Sequence, residues 1–134
     1  MQLSQSQSDR FEELGLAFLA KFLEVELRRH PGNLDALIEL GQIYTQQGRH
    51  EEGLEVDLRL ARELPDNATV HYNLGCSLAL LGRRQEALDA LEKAIGLGYD
   101  DARFMESDAD LESLYHLERF SELLARIQSL SSRG

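Results

Sequence analysis

The chain has 134 residues, 43% hydrophobic and 28% charged with two prolines, the proportions of one folded domain and not of a disordered segment. Fourteen Lys and Arg against 24 Asp and Glu give a formal charge of −10, which repels phosphate backbones and anionic bilayers and argues against a nucleic-acid or membrane-surface partner. The single cysteine, Cys76, allows no intramolecular disulfide and no cysteine-based metal cluster.

The opening MQLSQSQSDR lacks a basic segment followed by an apolar run, and no apolar stretch reaches the ~18 residues of a membrane span. A soluble, cytoplasmic chain, whole or part of a larger protein, is expected. Residues 9–30 then predict the most apolar helix, with Phe11, Leu14, Phe18, Phe22 and Val25 on one stripe and Leu16, Leu19, Leu23 and Leu27 on another. So wide an apolar arc is expected to be buried on more than one side. Two accounts are open: an extra N-terminal helix packed on the helices after it, or a helix whose Phe11, Phe18 and Phe22 meet a second chain, as in a homodimer, or a partner helix.

From residue 34 the chain repeats itself. LGQIYTQQGRHEEGL from Leu40 returns as LGCSLALLGRRQEAL from Leu74, so that Gly41, Gly48, Arg49, Glu52 and Leu54 fall on Gly75, Gly82, Arg83, Glu86 and Leu88. His30-Pro31-Gly32-Asn33 and Leu64-Pro65-Asp66-Asn67 recur at the same interval, and Gly98-Tyr99-Asp100-Asp101 comes next with Tyr in the proline slot. Proline ends the preceding helix, asparagine caps the next, and Gly48 and Gly82 sit where a helix must turn back. Two units, 34–67 and 68–101, are therefore each expected to be an antiparallel helix pair that stacks on its neighbour. Gly41 and Gly75, opposite Gly53 and Ala87, let paired backbones approach. Asp57, where the second unit has Leu91, predicts a rotated or partly exposed helix there.

After Asp101 the periodic residues give out: Asp108 falls where Leu is needed and Ala109 where Gly is. Ser107 with Asp110 has the spacing of a capping box ahead of Leu111, Leu114 and Leu117. Phe120, Leu123, Leu124, Ile127 and Leu130 predict a last helix. Residues 102–130 are expected to form a degenerate helical cap, with the terminal SSRG frayed.

Residues Leu37, Leu40, Gly41, Tyr44, Gly53 and Pro65, and in the second unit His71, Leu74, Gly75, Leu78, Ala87, Leu91 and Ala94, make residues 34–101 resemble the tetratricopeptide repeat. The tail resembles the degenerate ending of such arrays in small bacterial proteins. The resemblance implies an all-α, right-handed helical-repeat solenoid and a non-catalytic adaptor that binds a peptide or helix in a concave groove. By analogy the groove face carries Asp35, Ile38, Glu39, Gln42 and Thr45, then Thr69, Tyr72, Asn73, Cys76 and Leu80. Asn73 matches a position where the family often places an amide that pairs with an extended peptide's backbone, although a merely solvated Asn fits as well. Tyr72 beside it offers a flat amphipathic surface. The resemblance places Ile38 and Gln42 where the chaperone-tail binders of the family need Lys or Arg, and Asp35 and Glu39 add negative charge, so a partner of basic and apolar character is favoured. A self-associating structural protein is the alternative.

No catalytic set is apparent. His30, His50, His71 and His116 fall in different elements, Cys76 has no basic residue within one turn, and the glycines are spaced for helix packing and not for a phosphate. No enzyme activity, cofactor or metal is expected.

Overall fold

The computed structural model describes residues 2–132, which places Arg133 and Gly134 of the expected frayed tail outside the described residues. These residues form seven α-helices and one 3₁₀ segment: α1 Gln5–Arg29, α2 Leu34–Gln46, α3 His50–Glu63, α4 Ala68–Leu80, α5 Arg84–Gly96, α6 Ala102–Ser107, the 3₁₀ turn Ala109–Leu114, and α7 Glu118–Ser131. They divide into two compact units on either side of the Val56–Asp57 bond.

Each break is built by the residue types that the spacing singles out. Asn33, Asn67 and Asp101 accept from the amides of Ala36, Val70 and Phe104 at 3.1, 3.1 and 3.0 Å, which satisfies one free amide at each helix start. At helix ends Gly48, Gly82 and Gly98 take φ of +77, +75 and +112°. That geometry lets the amides of Arg49, Arg83 and Tyr99 reach back to Tyr44, Leu78 and Ala94 at 2.8–2.9 Å. An L side chain is strained there, which is why glycine recurs.

In the first unit α1 starts at Gln5, four residues before the sequence expectation. Ser4 and Gln7 form a reciprocal capping box at 3.0 and 3.2 Å. The helix packs on α2, burying Ala20 and Leu23 against a helix that buries Leu37, Leu40, Ile43 and Tyr44. The Tyr44 hydroxyl donates to Glu24 at 3.0 Å; burial, and then this bond, push its pKa up to about 12. Gly53 does face Gly41: a Cβ on it would lie 3.8 Å from the Gly41 carbonyl oxygen. The expectation that α1 is buried on more than one side fails, because Phe11, Phe18 and Phe22 are 63, 70 and 61% exposed.

In the second unit α4 lies against α5 with Leu88, Leu91, Ala87 and Ala94 fully buried. A Cβ on Gly75 would meet two Leu91 side-chain carbons at 2.9 Å and the Ala87 carbonyl oxygen at 3.3 Å. Asp57 is buried and not turned to solvent. It accepts from Ser77 Oγ at 2.5 Å, so the odd residue of α3 has a dedicated donor on α4.

The C-terminal elements keep the interval that the residue pattern loses. Ala102 follows Ala68, Leu114 follows Leu80 and Glu118 follows Arg84, each by 34 positions. The first helix of this third unit is broken at Asp108, where φ −72° and ψ 112° are extended. Asp108, and not Ser107, caps the following 3₁₀ turn, accepting from Asp110 N at 3.0 Å. A short polar side chain that bonds its own backbone competes with the helix at that point.

Two outcomes are expected. Gly75→Ala should lower unfolding free energy by about 1–3 kcal/mol through overpacking against the fully buried Leu91, measurable by urea denaturation. Burial raises the Asp57 carboxyl to about 6, partly opposed by the Ser77 bond. A raised folded-state value means a contribution fully present below the unfolded value near 3.8 and lost as pH rises through 6. Wild type should therefore lose on the order of 2 kcal/mol between pH 4 and 7 relative to Asp57→Asn, and denaturation at both pH values checks it.

Candidate functional site

The groove residues expected from the sequence separate into an open set and a covered set. On α2, Asp35, Glu39 and Gln42 are exposed and Ile38 and Thr45 half-buried, with Thr45 donating its hydroxyl to the Gly41 carbonyl at 3.1 Å. These five stand on the side away from Leu37, Leu40 and Tyr44. No Lys or Arg lies on α2, so this ridge is acidic with one aliphatic residue in it.

On α4, Thr69 is exposed and Asn73 and Leu80 are half-buried, whereas Tyr72 and Cys76 are buried. The expectation that Tyr72 and Cys76 face a ligand is corrected. The broken helix of the third unit packs on α4, and Asp108 Oδ2 takes the Tyr72 hydroxyl at 2.7 Å and the Cys76 thiol at 3.6 Å. Tyr99, in the slot where the earlier units have proline, stacks on Tyr72 with ring centroids 4.4 Å apart and planes 12° from parallel. Phe104 adds a tilted ring at 6.0 Å. Tyr72 is thus an internal packing residue with a satisfied hydroxyl, and the chain's own residues lie against it.

This cluster holds its protons. Burial first, then the Asp108 bond, push the Tyr72 hydroxyl far up; burial, then the charges of Asp108 and Asp110, push up the Cys76 thiol. Burial also lifts Tyr99 to about 12. A thiol kept protonated beside two carboxylates is a poor nucleophile. Cys76, Asp108 and Asp110 do place three ligand-capable atoms within 4.8 Å of one another, but Asp108 Oδ2 already accepts two hydrogen bonds there. Sequence reasoning missed Asp108, which lies 32 positions from Cys76 and shows only as a break in the repeat.

One opening remains beside this cluster. Ala79, Leu80, Ala109, Asp110, Glu112 and Ser113 line a shallow, open depression of about 370 Å³. Ser113 Oγ donates to the Ala79 carbonyl at 3.3 Å and holds the 3₁₀ turn to α4. Of the groove residues expected on α4, Leu80 lines this depression, next to Ala79. His71 is half-buried; its Nε2 lies 2.8 Å from the Pro65 carbonyl and must be the donor, so it belongs to the turn.

Comparison with known proteins agrees with this architecture. Residues 68–101 match a tetratricopeptide repeat model, and residues 19–68 match a second model of the same repeat. A chloroplastic protein of Arabidopsis thaliana is 36% identical over 87 residues, which is 63% of this chain and 26% of that protein; the chain spans about a quarter of this relative. A crystal structure of MamA superposes with a TM-score of 0.72 at 20% identity, covering 96% of this chain and 75% of MamA. MamA from AMB-1 gives 0.65 at 24% identity, covering 86% and 63% respectively. These likenesses show the fold class, an all-α helical-repeat solenoid.

Modification kinetics test the covered cluster. Cys76 should react with a maleimide at least about 100-fold more slowly in native protein than in urea, and Asp108→Ala should remove most of that protection.

Proposed function

The chain belongs to the tetratricopeptide repeat family, whose members are protein-interaction scaffolds, and on that premise we propose that it is a non-catalytic adaptor for a peptide or helix of basic and apolar character. The observation that carries this reading is the open depression at Leu80, where Ala79, Leu80 and Ala109 lie beside Asp110 and Glu112. A Lys or Arg side chain can lay its methylenes on such apolar residues and its charge beside such carboxylates. In the other unit the α2 ridge repeats the chemistry, with Ile38 between Asp35 and Glu39. Asn73, half-buried and seven positions before Leu80 on α4, offers an amide that both donates and accepts. The formal charge of −10 favours the same partner and disfavours nucleic acid. Among the described residues no helix is long and apolar enough to cross a membrane, and a cytoplasmic setting is part of this proposal.

A second reading, self-association through α1, is favoured by the exposed Phe11, Phe18 and Phe22. A contiguous exposed aromatic stripe marks an interaction surface.

The adaptor reading is tested with two synthetic decapeptides, one of Lys and Leu and one of Glu and Leu. Wild type should bind the first at least about tenfold more tightly, with an affinity that falls as salt rises. Glu39→Lys with Glu112→Lys should abolish the preference, and Asn73→Ala should weaken binding of either. Equal affinity for both peptides, or binding indifferent to these substitutions, sinks the reading.

A further inference from the structure

The self-association reading can be taken further, because α1 carries enough information to name its partner and its orientation. At about 100° per residue, Phe11, Leu14, Phe18, Phe22 and Val25 fall within an arc of about 80°. All five are exposed, and the buried Ala20 and Leu23 lie on the opposite side of the helix. The stripe residues are three or four positions apart, the spacing of a two-stranded helical seam. Ten such side chains, each exposing roughly 100 Å², would cover on the order of 1,000 Å² in a pair of helices, which reaches the threshold for a specific interface.

The charges beside the stripe choose the occupant. Arg10, Lys21 and Arg28 project along one edge of it; Glu12 and Glu26 project along the other. Two further charges belong to this surface: Glu24, half-buried behind the basic edge, is turned to α2, where it accepts from the Tyr44 hydroxyl at 3.0 Å, and Arg29 stands in line with Phe11 at the C-terminal end of the stripe. The edges next to the apolar residues otherwise carry one sign each. Glu26 is half-buried and accepts from Asn33 Nδ2 at 3.2 Å, which steadies it at its edge; the other four edge residues are exposed. A second copy of α1 laid parallel and in register brings the basic edge of each helix against the acidic edge of the other, with Lys21 of one chain five residues before Glu26 of its partner. That is the offset at which such seams form interhelical ion pairs. An antiparallel copy sets basic edge on basic edge, with Arg10 near Arg28, and acidic edge on acidic edge, with Glu12 near Glu26. Like charges flanking an apolar seam oppose pairing.

We infer that α1 is a parallel, in-register homodimerisation helix, with Phe18 meeting Phe18 at its centre and Lys21 paired to the Glu26 of a second copy. This rests on the self-association reading and adds the identity and orientation of the partner.

The test uses the whole chain. Size-exclusion chromatography with light scattering over a hundredfold concentration range should show a dimer, and Phe18→Asp should loosen it at least about 100-fold while leaving circular dichroism and thermal unfolding nearly unchanged, since Phe18 is 70% exposed. In a Cys76→Ala background, Phe11→Cys alone should oxidise to a covalent dimer, and Val25→Cys alone should do the same. Lys21→Glu should weaken the dimer, and adding Glu26→Lys should restore it. A monomer at every concentration, or a dimer indifferent to Phe18→Asp, overturns both the inference and the self-association reading. A Phe18-dependent dimer in which Phe11→Cys links only to Val25→Cys overturns the parallel orientation and leaves self-association standing.

Discussion

The close approach of α4 to α5 at Gly75 is the contact on which the second unit depends. A missing side chain lets Leu91 and the Ala87 backbone come within reach of a backbone that any larger residue would push away. Leu88, Leu91, Ala87 and Ala94 are then fully enclosed. Close packing of this kind makes the unit intolerant of volume change and sensitive to where each helix starts. The capping asparagines and left-handed glycines serve that requirement, since they set helix length and thereby bring Gly75 opposite Leu91.

The same packing explains how the second unit treats its polar intruders. Asp57 lies inside it because Ser77 meets it, and a buried acceptor with a donor costs far less than one without. Asp108 breaks a helix that the 34-residue interval would otherwise continue, and its carboxylate then gathers the Tyr72 and Cys76 protons from the neighbouring helix. The break shortens the third unit's first helix and turns a face that the family resemblance assigns to ligand into an internal contact. What remains open beside it is the depression at Leu80, next to Asp110 and Glu112.

The first unit is arranged differently. α1 uses one face to pack on α2 and leaves an aromatic stripe outward. Its length and capping are complete in themselves, from the Ser4 box to the His30 amide that bonds Glu26 O at 2.8 Å. Under the two proposed readings the surfaces that would engage other chains are separate, one apolar on α1 and one acidic.

The sequence by itself determined the elements and their interval. Asn33 and Asn67, Gly48 and Gly82 act through bonds confined to a few neighbouring residues, so their meaning can be read wherever they stand, whereas Gly75 acts against Leu91 on the next helix and showed in the sequence only through its recurrence after Gly41. The acidic ridge of α2 was legible for the same reason, because helical periodicity alone separates Asp35 and Glu39 from Leu37 and Leu40. Only the tertiary structure decided which apolar or polar side chains were covered. Tyr72 and Cys76 stand at positions that the family resemblance assigns to a ligand, and they are buried where Asp108 bonds both, 36 and 32 positions away, and Tyr99 stacks on Tyr72. Phe11, Phe18 and Phe22 have every mark of core residues, and they are exposed because α2 meets the other side of their helix. Burial is a property of pairs of elements distant in sequence, and a pattern read along one helix specifies a face without specifying what lies against it.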